Sequence, residues 1–258
     1  MKKVSIVTIV KNDSAGLEKT IKSVKAQTFE DYEFIVADGG SDEPVLSAAE
    51  KNKSVIDLFL KGPDKGIYDG MNKGIAAAQG TYIIFMNAGD AFASSDALKE
   101  VFAAVKGEPD VIYGDYRVDY GYAENLLKGR PVKDIWKGML TSHQSTLVKT
   151  ALMKKHPFSL NIRIGADFDR IFHLYSLGAK FAYVPVVISV TEPGGVSDRK
   201  RVHVFKDHLA TLKSHGEAGF FRKIYYAYII MDAFLRLTAK RLLPRETVRR
   251  FIASRAEK

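Results

Sequence analysis

At 258 residues with 46% hydrophobic side chains, the chain can build one large α/β domain plus an appended helical segment, and its composition excludes disorder and low complexity. It has no cysteine, which excludes disulfides and thiolate metal sites, so any metal must be held by oxygen or histidine. The formal charge of +9 is uneven: residues 199–258 hold 15 Lys/Arg and 5 Asp/Glu, on a near-neutral body, and such a basic tail points to an anionic surface as partner.

The opening MKKVSIVTIVKND superficially imitates an export signal. Ser5 and Thr8 interrupt its apolar run, Lys11 ends it and no small-residue cleavage site follows, so it predicts a buried first strand over Val4–Val10 and a chain that is not exported. Leu17, Ile21 and Val24 follow at helical spacing. Tyr32–Asp38 predicts a second strand ending in the turn Asp38-Gly39-Gly40-Ser41-Asp42, and Val55–Leu60 a third. A helix over 67–78, a strand over 81–86, a helix over 96–106 and a strand over Val111–Tyr116 continue the alternation. Segment 117–140 has no clear period; helices at about 146–155 and 167–177 and a strand over 181–190 restore order. Alternating strands and helices predict a mostly parallel sheet with right-handed crossovers, one domain through roughly residue 200, then a helical tail over 201–258.

The stretch from Asp64 to Asp90, DKGIYDGMNKGIAAAQGTYIIFMNAGD, is the most informative. Ligands of open α/β sheets bind beyond the carboxyl ends of the strands. Asp38 closes one strand, Asp64 precedes a helix and Asp90 closes the next strand. Three carboxylates on one edge repel unless a cation sits among them, and a divalent metal arriving with a nucleoside diphosphate would satisfy them. On the helix from Ile67, the residues Ile67, Met71, Ile75 and Ala78 share one face and Asp69, Asn72, Lys73 and Ala76 the opposite one; a solvated face with an Asp69–Lys73 pair also accounts for that pattern. No G-x-G-x-x-G turn follows the first strand, which runs into VKNDSAG, so a dinucleotide oxidoreductase is disfavoured.

VSIVTIVKND, ADGGSD at 37–42, DKGIYDGMNKGI at 64–75, GTYIIFMNAGD at 80–90 and GADFD at 165–169 match in content, order and spacing, and across roughly the first 190 residues the chain resembles the family 2 glycosyltransferases. Within that family it resembles the bacterial exopolysaccharide and colanic-acid-type members. The resemblance implies a GT-A fold and inverting, metal-assisted transfer from a nucleotide-sugar, a UDP-sugar in the first instance, to a hydroxyl of a glycan or lipid-linked saccharide. It implies that Thr8, Val10 and Asn12 line the nucleoside pocket, that Asp38 holds the base, that Asp64 and Lys65 lie near the nucleotide, and that Asp69 lies near the donor sugar or diphosphate. MNAGD stands where the family usually has an acidic D-x-D element. Asn87 and Ala88 would then face the donor and Asp90 would be the ligand of Mg or Mn, with Asn87 and Gly89 replacing carboxylates. Asp167 is implied as the base that deprotonates the acceptor, with Asp169 as substitute, and His143-Gln144 as shaping the acceptor side. Alternatively, the weakened MNAGD leaves a nucleotide-sugar-binding protein that no longer transfers.

Pro193–Arg201 joins glycines to Arg199, Lys200 and Arg201, as either an ordinary turn or a lid over a diphosphate. In the tail, Phe221, Ile224, Tyr225, Tyr228, Ile229 and Leu235 stand among Arg222, Lys223, Arg236, Lys240 and Arg241. The uncharged run Ile224–Met231 is too short to span a bilayer. It suits a helix lying on an anionic membrane, placing the protein on the inner face of the cell membrane; packing on the domain or in a homodimer is the alternative. Its aromatic residues mix with aliphatic ones rather than standing as stacking platforms, which argues against nucleic acid.

Overall fold

The computed structural model describes residues 2–195 and 199–242, with side chains of the last helix to residue 238. Strand β1 (Val4–Val10) leads to helix α1 (Ser14–Lys25), β2 (Tyr32–Asp38), α2 (Glu43–Lys51), β3 (Leu58–Lys61), α3 (Ile67–Ala77) and β4 (Tyr82–Phe85). Then come β5 (Ala91–Phe92), α4 (Ala97–Ala104), β6 (Val111–Asp119), β7 (Glu124–Leu127), β8 (Thr146–Lys149), α5 (Thr150–Lys155), α6 (Ala166–Ser176), β9 (Phe181–Thr191), α7 (Arg201–Ser214) and α8 (Phe220–Leu242). The strands form one sheet in the order β3-β2-β1-β4-β8-β6-β9-β5, with β7 beside β6.

β1 is buried throughout because both its faces are covered: Val4, Ile6 and Val10 join one apolar cluster, Val7 and Ile9 the other. Phe34 and Val36 alternate with Ile35 and Ala37 in β2 in the same way, as a period of two requires. Helices α1, α2 and α4 pack on the first face and α3, α5 and α6 on the second. The longest ladders, β1 with β2 and β6 with β9, are parallel, as are β1–β4 and β2–β3. β8 is antiparallel to both β4 and β6.

The structure corrects the sequence expectation at four places. Residues 146–149, expected to open a helix, are strand β8: Leu147 lies opposite both Ile84 and Ile112, and a segment as short as Thr-Leu-Val-Lys carries no period that separates strand from helix. The third strand begins at Leu58 rather than Val55, because Asp57 turns its carboxylate onto the Phe34 N–H (2.7 Å) and closes a turn there. The patternless 117–140 segment contains a hairpin, β6 to β7, and a 3-10 turn over Val132–Lys137. Ile67, expected on the buried face of α3, overhangs the rim at 42% exposed, and Tyr68 takes the buried position.

The C-terminal helices lean on the second apolar cluster. Leu212 and Tyr226 are fully buried in it, and the Tyr226 hydroxyl donates to the Trp136 carbonyl (3.0 Å) while Tyr225 packs edge-on against the Trp136 ring. His208 of α7 stacks on Phe168 of α6 at 4.0 Å between centroids and meets the backbone at Gly138. Burial, with Arg130 nearby, pushes its pKa down to about 3, so it is neutral. On its outer side α8 exposes Phe221, Ile224, Tyr228, Met231 and Leu235 at alternating offsets of three and four residues. No helix among the described residues is long and apolar enough to cross a membrane. Lys240 and Arg241 side chains and residues 243–258 lie outside the described part.

Helix α3 approaches β1 closely because Gly74 faces Val7: a Cβ there would overlap the Val7 Cγ1 methyl. Gly to Ala in a helix otherwise gains about 1 kcal/mol. Here overpacking prevails, and Gly74→Ala is expected to destabilise by about 1–3 kcal/mol, read as a lower midpoint in urea unfolding.

Candidate active site

The carboxyl ends of β2, β1 and β4 lie side by side, with Val10 opposite Asp38 and Val7 opposite Phe85. Their following loops therefore share one rim. Asp38 is buried, and its carboxylate accepts the Ser41 N–H (3.0 and 3.1 Å) and, more weakly, that of Gly40. Asn12, with φ of 53°, ties the β1 loop to this turn: its N–H donates to Ser41 Oγ and its Oδ1 accepts the Asp42 N–H. Asp64 bonds the Gly66 N–H and lies directly against Gly39, where any Cβ would strike its carboxylate. Asp38, Asp64 and Asn12 thus converge at the β2 end. Thr8 and Val10 are buried beneath them, and the Thr8 hydroxyl donates to the Met86 carbonyl (2.6 Å), fastening β1 to the end of β4.

Two inter-strand spacings away, roughly 10 Å, Asn87, Ala88, Gly89 and Asp90 make a turn gripped by α1. The Thr20 hydroxyl donates to the Asn87 and Asp90 carbonyls and accepts the Gly89 N–H, the Gly89 N–H also meets the Gly16 carbonyl, and the Ala88 N–H donates to Ile9. Gly89 sits at φ of 96°, which a side chain would oppose. Sequence reasoning missed Thr20; a threonine within the apolar face formed by Leu17, Ile21 and Val24 was its only signal.

From this turn a polar chain crosses to α6. Asn87 Nδ2 lies 2.9 Å from His143 Nε2, and the other ring nitrogen, Nδ1, lies 3.9 Å from Asp167 Oδ2. Tyr68, also missed, fixes the other carboxylate oxygen: its hydroxyl lies 3.3 Å from Asp167 Oδ1, donates to the Ile164 carbonyl and accepts the Ala166 N–H. Burial and the Asp167 charge push its phenol pKa far up, so it stays a donor. Gln144 donates to Asp90 Oδ2 (2.8 Å). Sequence-predicted residues Asn87, Asp90, His143, Gln144 and Asp167 are thereby brought together. Asp169 instead accepts from Thr211 of α7.

Asp69 accepts the Lys65 N–H at the start of α3 and pairs with Lys73 at 3.8 Å, which leaves Lys65 exposed and accounts for both by local helix geometry. Arg199 and Lys200 are exposed, and among the described residues neither pairs with the rim carboxylates; Val196–Asp198 of the expected lid lie outside them.

Asp38 accepts the N–H groups of Gly40 and Ser41 and Asp64 that of Gly66, and among the described residues no three acidic or histidine side chains form a ready metal cage. Asp90 differs. Burial raises its pKa, with the Gln144 hydrogen bond only partly opposing, and the Asn87 Oδ1 beside it is buried without a partner. A costly carboxylate next to an orphaned oxygen fits a hard cation that brings its remaining ligands with a diphosphate. Because the folded pKa is raised, ionised Asp90 lowers stability at neutral pH and the loss vanishes as pH falls below its ordinary 3.8. Metal-free Asp90→Asn is expected to melt at or above wild type at pH 7, with the gap closing towards pH 4, and to lose the rise that Mn²⁺ plus a nucleoside diphosphate gives wild type. Differential scanning fluorimetry reads both, and a lower Tm for the metal-free variant at pH 7 would contradict the assignment.

The family model for glycosyl transferase family 2 matches residues 5–163. An uncharacterized glycosyltransferase of Mycobacterium tuberculosis is 38% identical over 236 residues, covering 88% of this chain and 89% of that protein. A PGL/p-HBAD biosynthesis glycosyltransferase of Mycobacterium bovis is 31% identical over 208 residues, covering 75% and 78%. Among solved structures, the mannosyltransferase PcManGT of Pyrobaculum calidifontis with GDP-Man and Mn²⁺ superimposes with a TM-score of 0.64 at 13% identity, covering 98% of this chain and 79% of that one. Staphylococcus aureus TarS 1–349 with UDP-GlcNAc gives 0.63 at 17% identity, covering 81% of this chain but just under two thirds, 66%, of that one. The sheet and its flanking helices are a GT-A-like fold, and the chain belongs to glycosyltransferase family 2.

Proposed function

We propose that the protein is an inverting transferase that moves a hexose-type sugar from a nucleotide-sugar, first a UDP-sugar, to a hydroxyl of a glycan or lipid-linked saccharide in surface polysaccharide synthesis. The observation that carries this reading is the chain Asn87–His143–Asp167, which joins a donor-side turn to a carboxylate aligned by Tyr68. The TarS complex with UDP-GlcNAc and the PcManGT complex with GDP-Man and Mn²⁺ support a nucleotide-sugar donor for this fold.

The nucleoside end sits at Asp38, Asn12 and Asp64, and the diphosphate reaches towards the turn at Asp90. Asp90 and Asn87 Oδ1 would hold the divalent ion, which when bound neutralises charge on the departing diphosphate. Asp167 takes the proton of the acceptor hydroxyl as its oxygen attacks the anomeric carbon from the face opposite the diphosphate. The bond from that carbon to the diphosphate oxygen breaks, and its electron pair leaves with the nucleoside diphosphate. His143 Nδ1 faces the Asp167 carboxylate and Tyr68 fixes its direction, so the base needs no reorganisation at the moment of attack.

The α8 stripe supports residence at a membrane. Its outward residues are apolar or aromatic, and Phe221 and Tyr228 are among the most exposed large hydrophobic side chains of the described residues.

Thermal-shift screening of nucleotide-sugars with Mg²⁺ or Mn²⁺ is expected to identify the donor, since a ligand of the folded state raises Tm. With it, Asp167→Asn should bind donor as wild type does but lose about 10²–10⁴-fold in turnover. Equal donor binding with no turnover by either protein, over a panel of acceptors, would favour the binding-protein reading. In flotation assays, wild type should rise with anionic liposomes in low salt, while a variant carrying Phe221→Glu, Tyr228→Glu and Met231→Glu should not; equal flotation would remove the membrane assignment.

A further inference from the structure

Helix α6 carries a second group that the transfer does not use. Arg170 lies one turn after Asp167, three residues on, so the two share a face with their Cβ atoms about 5–6 Å apart. It is only 8% exposed, its Nε is buried without a hydrogen-bond partner, and among the described residues no carboxylate or carbonyl bonds its guanidinium. Asp169, the carboxylate that acts on it electrostatically, is already engaged by Thr211. Burial first, and then Arg170, lowers the pKa of the His156 and His173 rings, and neither ring offers the guanidinium a negative charge. Buried cations in folded proteins are ordinarily paired, because desolvation is otherwise uncompensated.

Arg170 lines the same small cavity as Asp167 and His143, walled by Phe158, Met139 and Met153. Its volume, about 20 Å³, admits an oxygen or two rather than a sugar. We propose that Arg170 is a specificity-determining residue that receives an anionic group, phosphate or carboxylate, of the acceptor, placed within one helical turn of the hydroxyl that Asp167 deprotonates. The acceptor is then a phosphorylated or acidic saccharide, and a neutral glycan leaves the cation unpaired. This rests on Asp167 being the base. The Arg170 site itself is tested without turnover.

The test uses wild type, Arg170→Met and Arg170→Lys as full-length protein. Without added anion, Arg170→Met is expected to melt at or above wild type, since an apolar side chain of similar length removes an unpaired buried charge; a residue kept for structure would lower Tm. Orthophosphate, compared with chloride at constant ionic strength, should raise the Tm of wild type by about 2 °C or more, that of Arg170→Lys by less, and that of Arg170→Met not at all. Glucuronate in place of orthophosphate distinguishes a carboxylate from a phosphate preference. Nucleoside diphosphate with Mn²⁺ should stabilise wild type and Arg170→Met equally. A phosphate or glucuronate shift that survives in Arg170→Met, or a loss of nucleoside diphosphate binding in it, would overturn the proposal by assigning the anion to the donor side. If the anion shift follows the prediction while Asp167→Asn still transfers at the wild-type rate, the anion site stands and the base assignment falls.

Discussion

The lateral pairing of β1 with β2 on one side and β4 on the other is the constraint from which the site follows. Parallel strands in register end together, so three loops emerge on one rim at fixed spacing. That spacing puts the Asp38 turn and the Asp90 turn about two strands apart, a span suited to an extended nucleoside diphosphate. The pairing depends on burial of both faces of β1, hence on helices that can lie close, and Gly74 against Val7 is where that closeness is decided.

The rim is neutralised by short-range dipoles rather than by one shared ion. Asp38 and Asp64 each accept N–H groups of their own turns, which costs little and is ready before any ligand arrives. Asp90 is held by the Gln144 amide and the Asn87 backbone, yet burial still raises its pKa. The rim thus has one end tied by N–H groups of its own turns and another whose carboxylate is costly to bury, and ligand binding energy is best realised at the second.

Much of the fold was legible in the sequence, because β1, β2 and β4 are apolar runs that end in turn residues and α3 carries a helical period. β8 was not, since Thr-Leu-Val-Lys fits a helix or a strand until its neighbours are known, and Ile84 and Ile112 decide it. The site was legible where a residue stands at a strand end or in a motif, as with Asp38, Asp90 and Asp167. It was illegible where a residue acts across the fold. Thr20 looks like a misplaced polar group on α1 and Tyr68 like core, yet their hydroxyls hold the Asn87–Asp90 turn and the start of α6. Arg170 was hidden for the opposite reason: sequence shows a charge but not that it lacks a partner.

The packing of α7 on α6 has a consequence for how the molecule is made. Phe168 stacks on His208, Thr211 bonds Asp169, and Gly165 lies so close to Asp207 that a Cβ would crowd it. The contacts at the β2 end, Asn12 with Ser41 and Asp42 and Asp64 with Gly66, lie within the first third of the chain, whereas the start of α6 gains its outer support only when residues beyond 205 have been synthesised. A chain emerging from the ribosome therefore closes the rim at the end of β2 well before the start of α6 is fixed.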